Sequence, residues 1–139
     1  MKQLLKRLVL LALVAAAAGA VLAWPRINLV ETGKTPEYPE LQPKEYGASV
    51  ERVTKAVKAA IAALPRWRLV GEGAGPAGAE IQAAHSTLVR LEYDVTVRIR
   101  RDKGRTQVSV RSKSRSLAWD FGQNARNIRE LLAALDRAL

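Results

Sequence analysis

The residues best equipped for chemistry lie between Arg111 and Ile128. Arg111-Ser112-Lys113-Ser114-Arg115 is followed by Ser116-Leu117-Ala118-Trp119 and then by Asp120-Phe121-Gly122-Gln123-Asn124-Ala125-Arg126-Asn127-Ile128. Guanidinium forks, serine hydroxyls and a helix N-terminus can converge on an anion, because each presents N–H or O–H donors to negative oxygens. That chemistry would use Arg111, Ser112, Ser114, Arg115, Asp120, Asn124 and Arg126. The competing expectation is structural: Asp94 pairs with Lys113, Glu92 with Arg115, the serines sit beneath the helices, and Asp120 caps a helix end. A carboxylate already at that helix end speaks against an anion there.

Other chemistry is poorly supplied. His85 is the single histidine, placed in or beside a tight turn and expected to be solvated, and no spacing brings it to a serine and an acid as a triad requires. With one histidine, no cysteine and no carboxylate cluster, neither a metal site nor a cofactor is expected. Gly73-Ala74-Gly75-Pro76-Ala77-Gly78 satisfies the glycine pattern of dinucleotide-binding loops. The residues after it alternate as a strand does, where that motif needs a helix, and Pro76 lacks a backbone donor, so a hairpin loop over Gly71 to Gly78 is expected.

Periodicity indicates the scaffold that holds these residues. Ser49 is a good N-cap, and Val50, Val53, Val57, Ile61 and Leu64 recur on one helical face until Pro65. Trp67 and Leu69, then Ala79, Ile81 and Ala83, mark two short strands. Val89, Leu91, Tyr93, Val95, Val97 and Ile99 alternate with polar neighbours, as do Val108 and Val110, giving strands with one dry face. A two-residue turn at Lys103-Gly104 pairs Val97 with Val110, Ile99 with Val108, Asp94 with Lys113 and Glu92 with Arg115. Asp120 and Gln123 resemble a capping box opening a last helix, whose apolar stripe is Ile128, Leu131, Leu132, Leu135 and Leu139. The expected fold is α+β: a two-layer sandwich with a four-stranded antiparallel sheet and two helices on one face, over residues 47–139.

Two segments precede it. Residues 1–24 carry Lys2, Lys6 and Arg7 before an uncharged run from Leu8 to Trp24, either a cleaved export signal or a retained single membrane anchor. Basic residues ahead of the run place the domain outside the cytoplasm, in the periplasm or its equivalent. Residues 25–46, with Pro36, Pro39 and Pro43, read as a linker or strap that would set the distance from the bilayer. Beyond residue 23, twenty basic side chains face thirteen acidic ones, a net +7 that attracts anionic lipid, acidic envelope polymer or another envelope protein. Nucleic acid is disfavoured as a partner: Arg90, Arg98, Arg100, Arg111, Lys113 and Arg115 on the wet face have no interleaved aromatics to stack bases.

The run Arg-Ser-x-Ser-Arg, a four-residue gap, then Asp-aromatic-Gly-x-Asn-x-Arg-x-Ile resembles the C-terminal signature of the domain of unknown function 1499 family. The likeness spans roughly Tyr38 to Leu135, with Tyr93-Asp94-Val95 and Val108-Ser109-Val110 falling on the family's alternating strands. Ser116 and Leu117 stand where the family usually has a small apolar residue and glycine, and its paired aspartates are reduced here to Tyr93-Asp94. The resemblance implies a fold and a domain extent, and no particular activity. The expected function is therefore a binding or assembly module at the envelope, working through Arg111 to Asn124. Its alternatives are a hydrolase-like enzyme of a small ligand using the same region, or a structural domain without a pocket.

Overall fold

The computed structural model describes residues 1–75 and 78–139. Helix α1 (Lys2–Ala23) is apolar and exposed throughout, and its 22 residues are long enough to cross a membrane. At about 1.5 Å per residue it reaches roughly 33 Å, against about 30 Å of hydrocarbon. It is longer than the uncharged run alone, because Lys2 to Arg7 are helical too.

The domain is α+β, as expected, but its sheet has six strands where four were expected. In chain order they are β1 (Leu29–Glu31), β2 (Lys44–Tyr46), β3 (Trp67–Gly75), β4 (Gly78–Ser86), β5 (Glu92–Asp102) and β6 (Arg105–Ser114), with α2 (Val50–Ala63) after β2 and α3 (Gln123–Ala138) at the end. The order across the antiparallel sheet is β1-β6-β5-β4-β3, and β2 shares with β1 the outer edge of β6. The two extra strands come from the proline-containing stretch. A free β6 edge offers unpaired N–H and C=O groups along its length, and the strap satisfies them in two three-residue pieces. Between the pieces Thr32 exchanges bonds with Val110: its N–H donates to the Val110 carbonyl, and its Oγ1 accepts the Val110 N–H, both at 3.0 Å.

The central hairpin has the expected register, with Val97 opposite Val110, Ile99 opposite Val108, and the turn at Lys103-Gly104 between Asp102 and Arg105. Tyr93, Val95, Val97, Ile99, Val108 and Val110 are buried with Val53, Val57 and Ile61 of α2 and Ile128, Leu131, Leu132 and Leu135 of α3. Burying each of these chains contributes about 1.5–3 kcal/mol before chain entropy is subtracted, and that offsets the cost of ordering two short helices.

Four local expectations are corrected. Strand β5 begins at Glu92, because Thr87 closes a turn in which its Oγ1 accepts the Leu91 N–H at 3.1 Å; Leu88 and Val89 therefore point out, 84% and 76% exposed. The glycine-rich stretch is not a loop through Gly71 to Gly75, since these residues are paired in β3; the tip at 76 and 77 lies outside the described residues. Leu69 is 48% exposed because β3 is a sheet edge and a bulge follows at Val70. Asp120 and Gln123 do not form a reciprocal capping box: Gly122, at φ 79°, is the N-cap of α3, and Gln123 turns its side chain to Asn127 and Arg126.

Candidate functional site

The pleat of β6 divides the residues between Arg111 and Arg115. Arg111 and Arg115 belong to the outer face, Ser112 and Ser114 to the buried inner one. The guanidinium groups and the serine hydroxyls therefore lie on opposite sides of a sheet and do not meet around one ligand. On the outer face Asp94 is the backbone partner of Lys113, yet its Oδ1 accepts Arg115 Nη2 at 2.7 Å and Nε at 2.9 Å. Arg115 also approaches Glu92 at 3.7 Å, while Glu92 takes Arg68 at 3.0 Å and the Ser86 hydroxyl. The shorter hydrogen bonds of Ser86 and Arg68 hold the Glu92 carboxyl below its usual range.

The inner half forms a chain of hydrogen bonds. Gln123 donates to Asn127 Oδ1 at 2.8 Å, Asn127 to Ser112 Oγ at 3.2 Å, Ser112 to Asn124 Oδ1 at 2.7 Å, and Asn124 Nδ2 to Asp120 Oδ2 at 2.7 Å. The other Asp120 oxygen accepts the Gly122 N–H at 2.8 Å. Every dipole runs toward the one carboxylate, so the bonds reinforce one another in a low-dielectric interior. Ser112, Asp120, Asn124 and Asn127 are thereby satisfied among themselves. Arg126 leaves this group for the surface, donating to the Phe121 carbonyl and to Gln123 Oε1, each at 3.1 Å.

The same loop receives the chain that leaves α1. Asp120 N–H donates to the Ile27 carbonyl at 2.9 Å, Ser114 N–H to the Asn28 carbonyl at 3.0 Å, and Asn28 Nδ2 to the Leu117 carbonyl at 3.1 Å. Arg26 lies 5.1 Å over the Trp119 ring, which stacks on Phe121 at 4.5 Å. Gly122 lies so near Trp24 that an added Cβ would stand 3.1 Å from its Nε1. The stretch expected to space domain from bilayer is thus docked on the domain from Ile27 onward.

His85 is also not where it was expected. It is the inward residue after Ile81 and Ala83 on β4, only 2% exposed, paired with Trp67 on β3 and Tyr93 on β5. The Trp67 ring meets the imidazole edge-on at 5.3 Å. Period-two counting from Ile81 reaches His85, so its burial is legible in the sequence; the polar residues just after it point instead to a turn. Tyr93 is in turn opposite Ser114, which accepts the Leu117 N–H at 3.0 Å. Trp67, His85, Tyr93 and Ser114 form one row across four strands. Ser114 and His85 are two strands apart, about 10 Å at ordinary strand spacing, too far for a nucleophile and its base.

Among the described residues, His85 Nδ1, Trp67 Nε1 and Trp119 Nε1 are buried without a hydrogen-bond partner. Burial lowers the His85 pKa, against the opposing pull of Glu130; Arg66 adds to the lowering and Glu92 resists it. The imidazole lines a groove of about 390 Å³ whose walls include Arg66, Thr87, Gln123, Arg126 and Glu130. No group of three metal-ligating side chains occurs among the described residues.

An α+β sandwich behind an apolar helix, with a polar relay fastening its last helix to its last strand, defines the class. The chain belongs to the family described as "Protein of unknown function (DUF1499)", whose model matches residues 17–135. No curated protein and no solved structure matches it.

Proposed function

We propose that this protein is a single-anchor envelope protein whose domain rests on the outer surface of the bilayer and binds its anionic headgroups, acting by binding without catalysis. The observation that carries this reading is the docking of Ile27 and Asn28 on Leu117 and Asp120, which leaves only Trp24 to Arg26 between the apolar helix and the domain. A domain held that closely turns one end toward the headgroups. On that end stand Arg26, Arg66, Arg90 and Arg126, with exposed Leu88, Val89, Phe121 and Trp24. Cations near an anionic surface contribute about 1 kcal/mol each, and aromatic and apolar tips settle at the headgroup level. The partner-binding region of the signature is accordingly its 115–122 loop, with Arg126 beside it.

The absence of cysteine makes the test clean. Leu88→Cys and Lys103→Cys, each carrying an environment-sensitive dye, are compared in full-length protein in bilayer nanodiscs with and without anionic lipid. The two sites lie at opposite ends of strands about 30 Å long. The label at 88 is expected to enter a drier environment with anionic lipid and to lose part of that shift as salt rises, while the label at 103 stays in water. A label at 88 that reports bulk water in both bilayers refutes the reading.

A further inference from the structure

The groove beneath Leu88 combines features that ordinary packing leaves unexplained. Its floor holds the buried His85, with an unpartnered Nδ1 beside the unpartnered Trp67 Nε1. Arg66 and Arg126 stand on its walls, and Arg66 has a left-handed backbone at φ 64°. The turn from α2 into β3 fixes this conformation, the Arg66 carbonyl accepting the Ser86 N–H at 2.9 Å, and it leaves the arginine exposed beside the groove. Arg90, across the same loop, is likewise left-handed at φ 62°. In the larger hollow of about 460 Å³ beside Glu31, Lys34 and Arg98 lie on a carboxylate at 2.9 and 3.7 Å, whereas among the described residues neither Arg66 nor Arg126 has a carboxylate partner, Arg126 being held only by the Phe121 carbonyl and Gln123 Oε1.

We propose that the groove binds the phosphoglycerol headgroup of an anionic membrane lipid, its phosphate between Arg66 and Arg126. This rests on the reading that this end of the domain faces the bilayer. Guanidinium groups match phosphate oxygens in a fork, and the imidazole lining the groove is placed to sense a headgroup above it. Glu130 and Gln123 on the same wall suit hydroxyl groups beyond the phosphate. The exposed Leu88 and Val89 give the acyl side of the lipid an apolar rim, which a soluble phosphate would not use. Trp24, packed near Gly122 and Arg126, brings the end of the apolar helix to the groove's mouth.

His85 is the chain's single histidine, so its ring resonances need no assignment. Full-length protein without a histidine tag, labelled with ¹⁵N-histidine, is placed in phosphatidylcholine nanodiscs and titrated with dihexanoyl phosphatidylglycerol, and separately with inorganic phosphate. The expected result is a saturable shift of the His85 nitrogens with the lipid, at least tenfold weaker with inorganic phosphate. Arg66→Gln is expected to weaken it by about tenfold, as the loss of a charged hydrogen bond does, and Arg66→Gln/Arg126→Gln by more. Arg66→Gln serves alone should the double variant melt early. No saturable shift, an equal response to inorganic phosphate, or wild-type affinity in Arg66→Gln overturns the proposal. A responsive label at residue 88 with a silent His85 removes the groove and leaves the bilayer contact standing, whereas silence of both removes both.

Discussion

Ser112 Oγ donates to Asn124 Oδ1 at 2.7 Å, and that bond ties the end of β6 to the first turn of α3. Both residues are fully buried, so neither can turn to water if the other is removed. The relay that includes them ends on Asp120, whose backbone N–H also holds the chain leaving α1 through the Ile27 carbonyl. One residue thereby fastens strand and helix through its carboxylate and the exit from the apolar segment through its backbone.

Ser112→Ala strands Asn124 Oδ1 and Asn127 Nδ2, and each unsatisfied buried group costs about 1–3 kcal/mol. Asn124→Ala leaves the Ser112 hydroxyl proton without its acceptor, weakens the hold on Asp120 Oδ2 to the residue-124 N–H alone and empties buried volume, and is expected to cost more. Urea unfolding should show both as a lowered midpoint with unchanged slope. Arg115→Ala, which breaks a surface pair to Asp94, should lower the midpoint less than either. An Arg115 effect larger than that of Asn124 would contradict the assignment of these residues.

His85 gives the domain a pH dependence of definite sign. Burial, the largest cause, depresses its folded-state pKa, with Arg66 adding to the effect while Glu130 and Glu92 oppose it. The unfolded chain therefore binds this proton more readily than the folded one. Stability from this group is full above the unfolded value of about 6.5 and is lost as pH falls through the depressed folded value. Melting temperatures measured from pH 7.5 to 5 should fall more steeply for wild type than for His85→Gln. Parallel curves would mean that the imidazole is not buried.

Two glycines of the β3-β4 hairpin should respond in opposite ways to alanine. A Cβ at Gly78 would collide with the Ile99 carbonyl on β5, whereas one at Gly73 meets nothing within 4 Å. Gly78→Ala must push β4 from β5 and should destabilise markedly. Gly73→Ala, in extended backbone with open space, should be neutral or stabilise by up to about 1 kcal/mol by narrowing the unfolded ensemble. Thermal melts of the two variants decide it, and equal losses would place this close approach elsewhere.

Much of this architecture could be read directly from residue order. The alternation from Tyr93 to Ile99 and at Val108 and Val110 is set by the pleat, and a shift by one residue would turn the whole apolar set to water, so pattern and turn length determined the hairpin register. The faces of α2 and α3 come from 3.6-residue periodicity in the same way. Tertiary structure decided what depends on distant partners. Leu29–Glu31 and Lys44–Tyr46 are too short to carry a periodic signal, and they are strands because β6, some 60 to 80 positions later, presents a free edge. Alternation from Ile81 turns His85 inward, but that it meets Trp67 and Tyr93 there follows only from the pairing of β4 with both neighbours. The serines and arginines of the signature were separated by the same pleat, since alternate side chains of a strand point to opposite faces. Local periodicity dictates which way a side chain points; only the assembled sheet decides what it meets there.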